Sequence, residues 1–569
     1  MDHSHEDLNK RLQNLACKHK TFFNADLNYK QNLAKQVLQK LQLGKWAYIN
    51  NWIEKSCQIE GLLPTDSYEI QQMASMKKFN MGSIAKLWLT TFINTPHISK
   101  PNKIIGPNGE YLNGPFSMGM NAPGIQFDLF CDPNQNDTKN IYKKSAKQES
   151  VCLVLGAGNQ DFLTLIDIFQ RVFIHNECVI VKHHPLRNFL YEPYSLILEP
   201  LIYDDIVFMI EDENIDNSIA LTKHSLITHI HFTGSEKTYN SINKTLRFAK
   251  KNWNVSGELG CVTPWVVFPE KWTENEIKSA AKQIVTAKKT NGGCNCLSSQ
   301  LIILPFNWEQ KADFMQELTS ELLMQKTIPS YYPNSLITKS DFEFIYKKDS
   351  TIIPSNNKLE GVTEEDNIFI INYGLISNNR QNDYCLKNEA FGPILVLAEV
   401  ENDNLDHYLD NVISILNSDK VYGSLSCSLL VPSAVPDKYV DYCILNLNYG
   451  TIAINTWSIF GYTAAAMGGV WGGYYKDIKS GYGRVGNIFQ NEFVTKTIVR
   501  NNSLENSQID LSKLPPKFIL DLLFVLIVKT NNSFDVAIEF VFFLFEYLII
   551  TIINFNWNYI LKVNTLINN

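Results

Sequence analysis

The sequence predicts an α/β protein in which parallel strands are joined by helices. From Val151 onward, short apolar runs alternate with helix-length segments, and this alternation indicates βαβ units. Several of the apolar runs end in glycine or polar residues, as strands do where a doubly wound sheet binds a ligand. The 569 residues are enough for roughly three to five domains, so a large core is expected.

The composition favours an enzyme-sized globular protein. Apolar residues make up 45% and charged residues 19% of the chain, which is too apolar for intrinsic disorder. The formal net charge is −7 and no dense basic run is present, so no nucleic-acid partner is expected. The eleven cysteines are scattered, apart from Cys294 and Cys296, and the first residues are polar. We therefore expect free thiols and an intracellular protein, in the cytoplasm or at the cytosolic face of a membrane.

Residues 1–110 are predicted to form a helical lead-in. This segment is rich in Asn, Gln and Lys, and its apolar residues recur at helical spacing at Leu33, Val37 and Leu41. It carries no chemical motif, so it contributes no candidate site residue.

Four candidate strands in the next segment adjoin glycine or polar residues. The first is followed by a tight turn and by an amphipathic stretch that reaches Phe173, which predicts a strand, a turn and a helix. Because the carboxyl ends of parallel strands line the ligand crevice, the residues at these ends are candidates for binding. The pairs are Val151–Leu155 before Gly156–Asn159, Cys178–Val181 before Lys182, Ile227–Phe232 before Thr233–Ser235, and Trp265–Phe268 after the turn Glu258–Gly260.

A second alternating set begins with a helix near Ile277 that reaches Lys289. A Gly-Gly turn and the two close cysteines separate this helix from the next apolar run. The segment Asn491–Val499 resembles an edge strand. The other strands predicted here are Leu301–Leu304, Ile394–Leu397 and Ser426–Val431.

The last residues form an apolar tail with two separate stretches. Phe518–Val528 is too short to cross a bilayer core of about 30 Å. As a helix, Val536–Ile553 is about 27 Å long, and Glu539 and Glu546 lie on one of its faces. The apolar side chains favour insertion of this helix into a membrane and the two carboxylates oppose it, and the two contributions to the free energy are nearly equal. The tail is therefore either membrane-associated or packed against protein, as part of the body or of an oligomer contact.

Six short motifs follow one another in a fixed order. Any one of them is weak, but all six in order are hard to explain by chance. On these motifs, the chain from about Tyr111 to Arg500 resembles the aldehyde dehydrogenase superfamily, and Gly450–Trp457 and Ser480–Gly483 extend the resemblance. The motifs are Leu-Gly-Ala-Gly-Asn at Leu155–Asn159, Val-Ile-Val-Lys at Val179–Lys182, Phe-Thr-Gly-Ser at Phe232–Ser235, Glu-Leu-Gly at Glu258–Gly260, Asn-Gly-Gly-Cys-Asn-Cys at Asn291–Cys296, and Asn-Glu-Ala-Phe-Gly-Pro at Asn388–Pro393.

The resemblance implies an aldehyde-dehydrogenase-like fold with a Rossmann-type cofactor lobe and an α/β catalytic lobe. The implied order is a dinucleotide-binding lobe over residues 111–259, a catalytic lobe over 260–449, a return to the cofactor lobe with an oligomerisation strand over 450–500, and the apolar tail over 501–569. It also implies an aldehyde substrate, NAD or NADP as cofactor, and a homodimer or homotetramer. The tail is reminiscent of fatty aldehyde dehydrogenases, which would make the substrate a long-chain aldehyde.

Three residues are the catalytic candidates. In the family pattern the nucleophile lies five residues after the Asn of the fifth motif, which matches Cys296, and Gly292 and Gly293 allow close backbone approach to it. Asn159 matches the amide that donates to the oxyanion with the backbone N–H of the nucleophile. Glu258 matches the base that activates water, and a nearby thiol and apolar channel would raise its pKa.

Five residues are the candidates for cofactor binding. Lys182 matches the lysine at the adenosine ribose, and Gly234 and Ser235 match the turn on the phosphate side, where a helix N-terminus holds an anion. Glu389 and Phe391 match the pair that binds the nicotinamide ribose and packs beside the ring.

Several positions depart from the family pattern. The proline expected after Lys182 is His183, and Pro185 replaces an acidic residue that helps select the ribose hydroxyls, so the choice between NAD and NADP stays open. Cys261 replaces a glycine, and Tyr239 stands near the phosphate turn. No metal site is expected, because His229 and His231 fit one face of a strand and nothing in the sequence spacing completes a ligand set.

The residues favour oxidation of an aldehyde through a thioester on Cys296. One alternative is an acyl-thioester reductase of the same superfamily, against which Glu258 argues because a hydrolytic base wastes the thioester. Another is a catalytically silent, membrane-associated scaffold, which the departures after Lys182 and Ser235 favour and which the combined presence of the catalytic candidates opposes.

Overall fold

A computed structural model of the chain contains two β-sheets with helices around them, and it confirms the α/β class. It describes residues 5–64, 67–94, 102–134, 150–210, 215–251, 253–376, 383–475, 478–481, 486, 493–505 and 514–529. The predicted apolar helix Val536–Ile553 lies outside the described residues.

The strands follow the apolar runs of the sequence closely. They are β1 (Lys103–Ile104), β2 (Tyr111–Ser117), β3 (Ile125–Cys131), β4 (Val151–Leu155), β5 (Val179–Lys182), β6 (Val207–Ile210), β7 (Ile227–Gly234), β8 (Asn254–Leu259), β9 (Pro264–Val267), β10 (Leu301–Pro305), β11 (Ser350–Ile353), β12 (Ile368–Leu375), β13 (Ile394–Val400), β14 (Ser426–Leu430), β15 (Thr451–Ile454) and β16 (Val494–Asn501).

The helices include four in the N-terminal segment and one near the end of the described chain. They are α1 (His5–Phe22), α2 (Leu27–Leu43), α3 (Trp52–Ile59), α4 (Tyr68–Asn94), α5 (Leu163–Phe169), α6 (Tyr191–Ile197), α7 (Glu199–Tyr203), α8 (Ile215–Lys223), α9 (Glu236–Phe248), α10 (Glu274–Lys289), α11 (Lys311–Met324), α12 (Ser335–Tyr346), α13 (Tyr384–Lys387), α14 (Leu405–Asn417), α15 (Asp437–Asn446), α16 (Ile459–Ala466) and α17 (Lys517–Leu523). Short 3-10 turns lie at Lys45–Asn51, Gly119–Asn121, Pro185–Leu190, Thr290–Gly293, Glu364–Asp366 and Ile478–Ser480, and π-helical turns at Gln170–Ile174 and Phe524–Lys529.

The smaller sheet has five strands in the order β6-β5-β4-β7-β8, and every neighbouring pair is parallel. The order reverses at β4, as in a doubly wound sheet. All five strands therefore end at one edge, where the turn to Asn159, the strand-end Lys182 and the Thr233–Ser235 segment lie. This edge is the place where such a sheet binds its ligand.

The larger sheet has eleven strands in the order β1-β2-β3-β16-β15-β14-β9-β10-β13-β12-β11. Its centre from β16 to β12 is parallel, and antiparallel strands close both sides. The strands β2, β3 and β15, which the resemblance places with the cofactor lobe, are members of this sheet. The chain crosses from one sheet to the other between Glu258 at the end of β8 and Pro264 at the start of β9.

Two predicted elements differ from the structure. Glu258–Gly260 is not simply a turn, because pairing with β7 extends β8 through Leu259. Asn491–Val499 is not an edge strand, because β16 pairs with β15 on one side and β3 on the other. Both differences arise because the pairing of a strand with its neighbours is not visible in its own sequence pattern.

The helix after β4 is buried on all sides and is not amphipathic, since all seven residues of α5 are buried. The N-terminal helix α4 covers its outer side. The ring of Trp88 on α4 lies 5.4 Å from that of Phe169 and 6.0 Å from that of Phe173. The helical lead-in predicted for residues 1–110 is thus partly a layer over the smaller sheet.

The first apolar stretch of the tail also packs on the N-terminal helices. Asp521 accepts hydrogen bonds from Ser75 and Lys78, and the ring of Phe524 lies 5.8 Å from that of Trp46. Among the helices within the described ranges, none combines the length and the apolar character that a bilayer span requires.

Candidate active site

The loop that carries the candidate nucleophile follows α10. This helix begins at a capping box, in which Thr273 and Glu276 bond reciprocally, and it ends in three consecutive left-handed residues, Asn291, Gly292 and Gly293, with φ of 58°, 61° and 77°. A Cβ on Gly293 would overlap the carbonyl oxygen of Gly392, so only glycine fits there. The Gly-Gly turn thus brings the backbone of Gly293 close to that of Gly392.

The two cysteines of this loop have different surroundings. Cys294 is fully buried, its thiol faces the Gly292 carbonyl at 3.8 Å, and burial raises its pKa to about 12. Cys296 is only partly buried, and its backbone carbonyl accepts a hydrogen bond of 2.8 Å from Thr263. Of the two cysteine residues, Cys296 is the more exposed.

Glu258 and Cys296 are in contact. Burial raises the pKa of Glu258 to about 7, and hydrogen bonds from Trp471 and from the Cys296 thiol act against this rise. Burial and the nearby Glu258 carboxylate raise the pKa of Cys296 well above its ordinary value. The resting pair is a neutral thiol beside a carboxyl group that titrates near neutrality, which suits proton transfer between them.

Asn159 reaches the nucleophile loop from the other sheet. Its amide donates a hydrogen bond of 3.2 Å to the carbonyl of Cys294. Its own backbone carbonyl accepts hydrogen bonds from Asn291 at 3.0 Å and from Tyr331 at 3.1 Å. The same amide nitrogen carries a second hydrogen that can donate to another acceptor.

Gln300 joins the turn after β8 to the loop before β13. Its amide nitrogen donates to the Cys261 carbonyl at 2.8 Å, and its amide oxygen accepts from the Ala390 backbone at 2.6 Å. This places the carboxylate of Glu389 against Gly260, where a Cβ would overlap it. Burial raises the pKa of Glu389 to about 8.

One oxygen of Glu389 is unpaired. Oε1 is buried and has no hydrogen-bond partner among the described residues. A buried acceptor without a donor is costly, and a ribose hydroxyl from a bound nucleotide would satisfy it. The ring of Phe391 lies nearby in sequence and packs edge-on against Tyr332 at 5.1 Å, with His184 stacked on Tyr332 at 6.0 Å.

The remaining cofactor candidates lie at the carboxyl edge of the smaller sheet. Lys182 ends β5 and is buried, and Gly234 ends β7. Ser235 is exposed and caps α9, where its hydroxyl accepts from the Thr238 backbone at 3.2 Å. These three residues share the sheet edge with Asn159 but do not belong to the group around Cys296.

Several residues at the site belong to no motif that sequence reasoning identified. The indole of Trp471 bonds Glu258, Arg187 contacts the backbone of Asn159, and the buried Lys288 donates to the Gly392 carbonyl at 3.2 Å. Burial lowers the pKa of Lys288 to about 7. The one available signal was the glycine-rich surroundings of Trp471.

A second polar cluster lies at the opposite ends of the same strands. Within the described part of the chain, Cys152, Glu177 and His229 offer atoms within 4.8 Å of one another. No such group was expected, because Cys152 on β4, Glu177 just before β5 and His229 on β7 are brought together only by the pairing of these strands. Glu177 is already paired with His229 at 2.5 Å and with Arg171 at 3.6 Å, so this cluster is charge-compensated without a cation.

The comparison with protein families gives one match. The profile of the aldehyde dehydrogenase family matches residues 195–498. Gly234, Ser235, Glu258, Cys296, Glu389 and Phe391 fall inside this range, whereas Asn159 and Lys182 precede it.

Solved structures with the same fold include two bacterial aldehyde dehydrogenases. Succinic semialdehyde dehydrogenase from Streptococcus pyogenes, in complex with NADP+, has a TM-score of 0.58 and 15% identity, covering 88% of this chain and 96% of that chain. Betaine aldehyde dehydrogenase from Staphylococcus aureus, in complex with NAD+, has a TM-score of 0.57 and 14% identity, covering 89% of this chain and 88% of that chain. At these identities the likeness establishes the fold alone.

Relatives with curated functions match over shorter lengths. A probable delta-1-pyrroline-5-carboxylate dehydrogenase from Schizosaccharomyces pombe is 25% identical over 233 residues, 39% of this chain and 42% of that protein. A 1-pyrroline-5-carboxylate dehydrogenase from Staphylococcus aureus is 28% identical over 211 residues, 36% of this chain and 38% of that protein. The chain thus spans about two fifths of the length of these relatives.

Proposed function

Since the chain belongs to the aldehyde dehydrogenase family, we propose that it oxidises an aldehyde to a carboxylic acid with NAD or NADP, through a thioester on Cys296. The observation that carries this proposal is the proximity of the Cys296 thiol to Glu258, a buried carboxyl group that accepts a hydrogen bond of 3.0 Å from Trp471 and whose pKa burial raises to about 7. A nucleophile and a base in contact are what covalent catalysis requires.

In the first half of the proposed reaction, the Cys296 thiol gives its proton to Glu258. The sulfur attacks the aldehyde carbon, a C–S bond forms, and the carbonyl π electrons move onto the oxygen. The free amide hydrogen of Asn159 and the backbone N–H of Cys296 donate to this oxyanion. The carbon then loses a hydride, the C=O bond re-forms, and Cys296 carries a thioester.

In the second half, Glu258 first releases to solvent the proton that it took from Cys296 and then takes a proton from water. The hydroxide attacks the thioester carbon, the C–S bond breaks, and the carboxylic acid leaves. Glu258 then returns its proton to the Cys296 sulfur. A carboxyl group that titrates at about 7 is matched to this exchange at neutral pH, because it both accepts and releases a proton readily.

A bound NAD or NADP supplies the acceptor for the hydride. Glu389 would hold the nicotinamide ribose, which its unpaired Oε1 favours, and Phe391 would pack beside the ring. Lys182 would contact the adenosine ribose, and Gly234 and Ser235 would face the phosphates at the start of α9.

The experiment uses the full-length chain with NAD or NADP and follows the near-ultraviolet absorbance of reduced cofactor. The aldehyde panel runs from short to long straight chains and adds succinic semialdehyde, betaine aldehyde and 1-pyrroline-5-carboxylate, because similar proteins carry those names. We expect reduced cofactor with at least one of them. Cys296→Ala should abolish it and Cys294→Ala, the matched control, should not.

Other outcomes identify the alternatives. The reductase is indicated if the chain oxidises NADH or NADPH with an acyl thioester faster than it reduces NAD or NADP with any aldehyde. No turnover and no cofactor binding would indicate the silent scaffold.

We also propose that Val536–Ile553 contacts a membrane or a protein surface, and that the chain forms a homodimer or homotetramer. The apolar composition of that segment supports the first statement and family membership supports the second. Flotation with vesicles and sedimentation of the full chain test them separately. Recovery with the vesicles would identify a membrane contact, and a monomer at high concentration would contradict the second statement.

A further inference from the structure

Four charged residues form a buried cluster beside the turn that carries Asn159. Glu60 follows α3, Lys77 lies on α4, Asp161 lies in the turn after β4, and Arg187 lies in the 3-10 turn after β5. Arg187 pairs with Glu60 at 2.8 Å and with Asp161 at 2.9 Å, and Lys77 pairs with Glu60 at 2.6 Å and Asp161 at 3.5 Å. The two positive and two negative charges balance, and their mutual attraction offsets part of the free energy that their removal from water costs.

Arg187 contacts more than the two carboxylates. Its guanidinium is fully buried, and its donors reach partners from three parts of the chain. These partners are the backbone carbonyls of Gly158 at 3.0 Å and Asn159 at 3.3 Å, the hydroxyls of Ser56 at 3.0 Å and Tyr331 at 3.1 Å, and the carboxylates of Glu60 and Asp161.

The two carbonyls belong to consecutive residues of the turn, and this is what distinguishes the contact from an ordinary ion pair. Nε of Arg187 bonds Gly158 while a terminal nitrogen bonds Asn159, so the planar guanidinium fixes two adjacent peptide groups. Tyr331 donates to the same Asn159 carbonyl at 3.1 Å. With its backbone held, the Asn159 side chain is directed to the nucleophile loop at Cys294.

We propose that Arg187 is a positioning residue for the oxyanion donor Asn159, and that Ser56, Glu60 and Lys77 of the N-terminal helical segment hold Arg187 in place. This inference rests on the proposed function, because it assigns Asn159 to the oxyanion. It also gives the N-terminal segment a part in the site.

The test reads acylation of Cys296 without cofactor. The full-length chain is mixed with p-nitrophenyl acetate, and the release of p-nitrophenolate is followed before steady state, with Cys296→Ala as background. An ester carbonyl passes through the same kind of oxyanion. Arg187→Lys keeps the positive charge but lacks the fork that reaches both carbonyls.

We expect Arg187→Lys to lower the acylation rate constant about 10- to 100-fold with little change in ester KM, because a displaced donor weakens the transition state more than binding. Tyr331→Phe, which removes one donor to Asn159 and leaves the charges intact, should lower it less, in the same direction. Arg171→Lys is the matched control: Arg171 is also buried, lies in the π-helical turn Gln170–Ile174, and pairs with Glu177 at 3.6 Å.

The inference is overturned if Arg187→Lys and Tyr331→Phe acylate at the wild-type rate, or if Arg171→Lys slows acylation as much as Arg187→Lys at equal loss of thermal stability. If Arg187→Lys does not fold, Tyr331→Phe alone decides between these outcomes. A wild-type chain that is acylated at Cys296 but reduces no cofactor with any aldehyde would contradict the proposed function and still leave the role of Arg187 measurable.

Discussion

The indole nitrogen of Trp471 donates a hydrogen bond of 3.0 Å to Oε2 of Glu258, across 213 positions of sequence. Both side chains are buried. The bond stabilises the ionised carboxylate and so acts against the effect of burial on the pKa of Glu258. Trp471 therefore sets both the orientation of the proposed base and the pH at which it works.

Replacing Trp471 with phenylalanine removes the donor and keeps an aromatic ring. We expect the pKa of Glu258 to rise above about 7, because the hydrogen bond that favours the charged form is lost. The pH at half-maximal kcat should therefore move upward. A kcat profile between about pH 5 and pH 9 measures the shift.

Trp265→Phe is the control for this substitution. Trp265 is also fully buried, but its indole nitrogen has no hydrogen-bond partner among the described residues. Trp265→Phe therefore removes the same atoms as Trp471→Phe but no hydrogen bond to Glu258. An equal shift of the pH profile in both variants would contradict the role of Trp471.

Glu258→Gln should change how stability depends on pH. The folded chain holds a proton on Glu258 up to about pH 7, whereas the unfolded chain releases it near its ordinary pKa of 4.5. Wild-type stability therefore falls as the pH rises between these values, and glutamine removes that fall. The variant should gain up to about 3 kcal/mol over wild type above pH 7 and nothing below about pH 4.5.

Urea unfolding at about pH 4.5, 6 and 8 measures this difference. Glu274→Gln serves as the control, because Glu274 is exposed and its pKa is lowered by its hydrogen bond to Lys278. A gain for Glu258→Gln that is the same at every pH would show that Glu258 does not titrate near neutrality in the folded chain.

Glu258→Gln should also make Cys296 more reactive toward iodoacetamide at about pH 8. The Glu258 carboxylate disfavours the thiolate, so a neutral glutamine lowers the pKa of Cys296 and raises its thiolate fraction. Fragment-ion mass spectrometry separates Cys296 from Cys294 on one peptide. Faster labelling of Cys294 than of Cys296 in the wild type would contradict the assignment of the accessible thiol.

Gly293→Ala should destabilise the chain and abolish activity together. The added Cβ would overlap the Gly392 carbonyl, and the φ of 77° is unfavourable for alanine. Gly119→Ala is the matched control, since Gly119 has a φ of 56° with nothing within 4 Å of the added Cβ. We expect about 1–2 kcal/mol for Gly119→Ala and a larger loss for Gly293→Ala, both by urea unfolding. Equal losses in the free energy of unfolding would mean that the backbone at Gly293 and Gly392 moves apart at no cost, and would contradict this prediction.

The amino-acid sequence was sufficient to predict the α/β class and the apolar runs that form β4, β5, β7, β9, β10, β13 and β14, but not the order of the strands in the two sheets. Strand runs and glycine turns are local patterns, so the segments that contain Asn159, Lys182 and Cys296 stood out in the sequence, whereas the roles of these three residues came from the family resemblance. The family resemblance added the pairing of Cys296 with Glu258. Predictions that depended on strand partners were less accurate, as β8 and β16 show.

The side chains that contact these residues became known from the three-dimensional fold. Trp471 approaches Glu258 across 213 positions, and Glu60 approaches Arg187 across 127. A hydrophobic period tells that a face of a helix is buried but not which surface covers it, so the N-terminal helices carried no chemical signal. A buried charge needs a partner of opposite charge, and the partners of Glu60 and Lys77 are distant in sequence. These ion pairs form only in the folded chain, and they place the N-terminal helices beside the site.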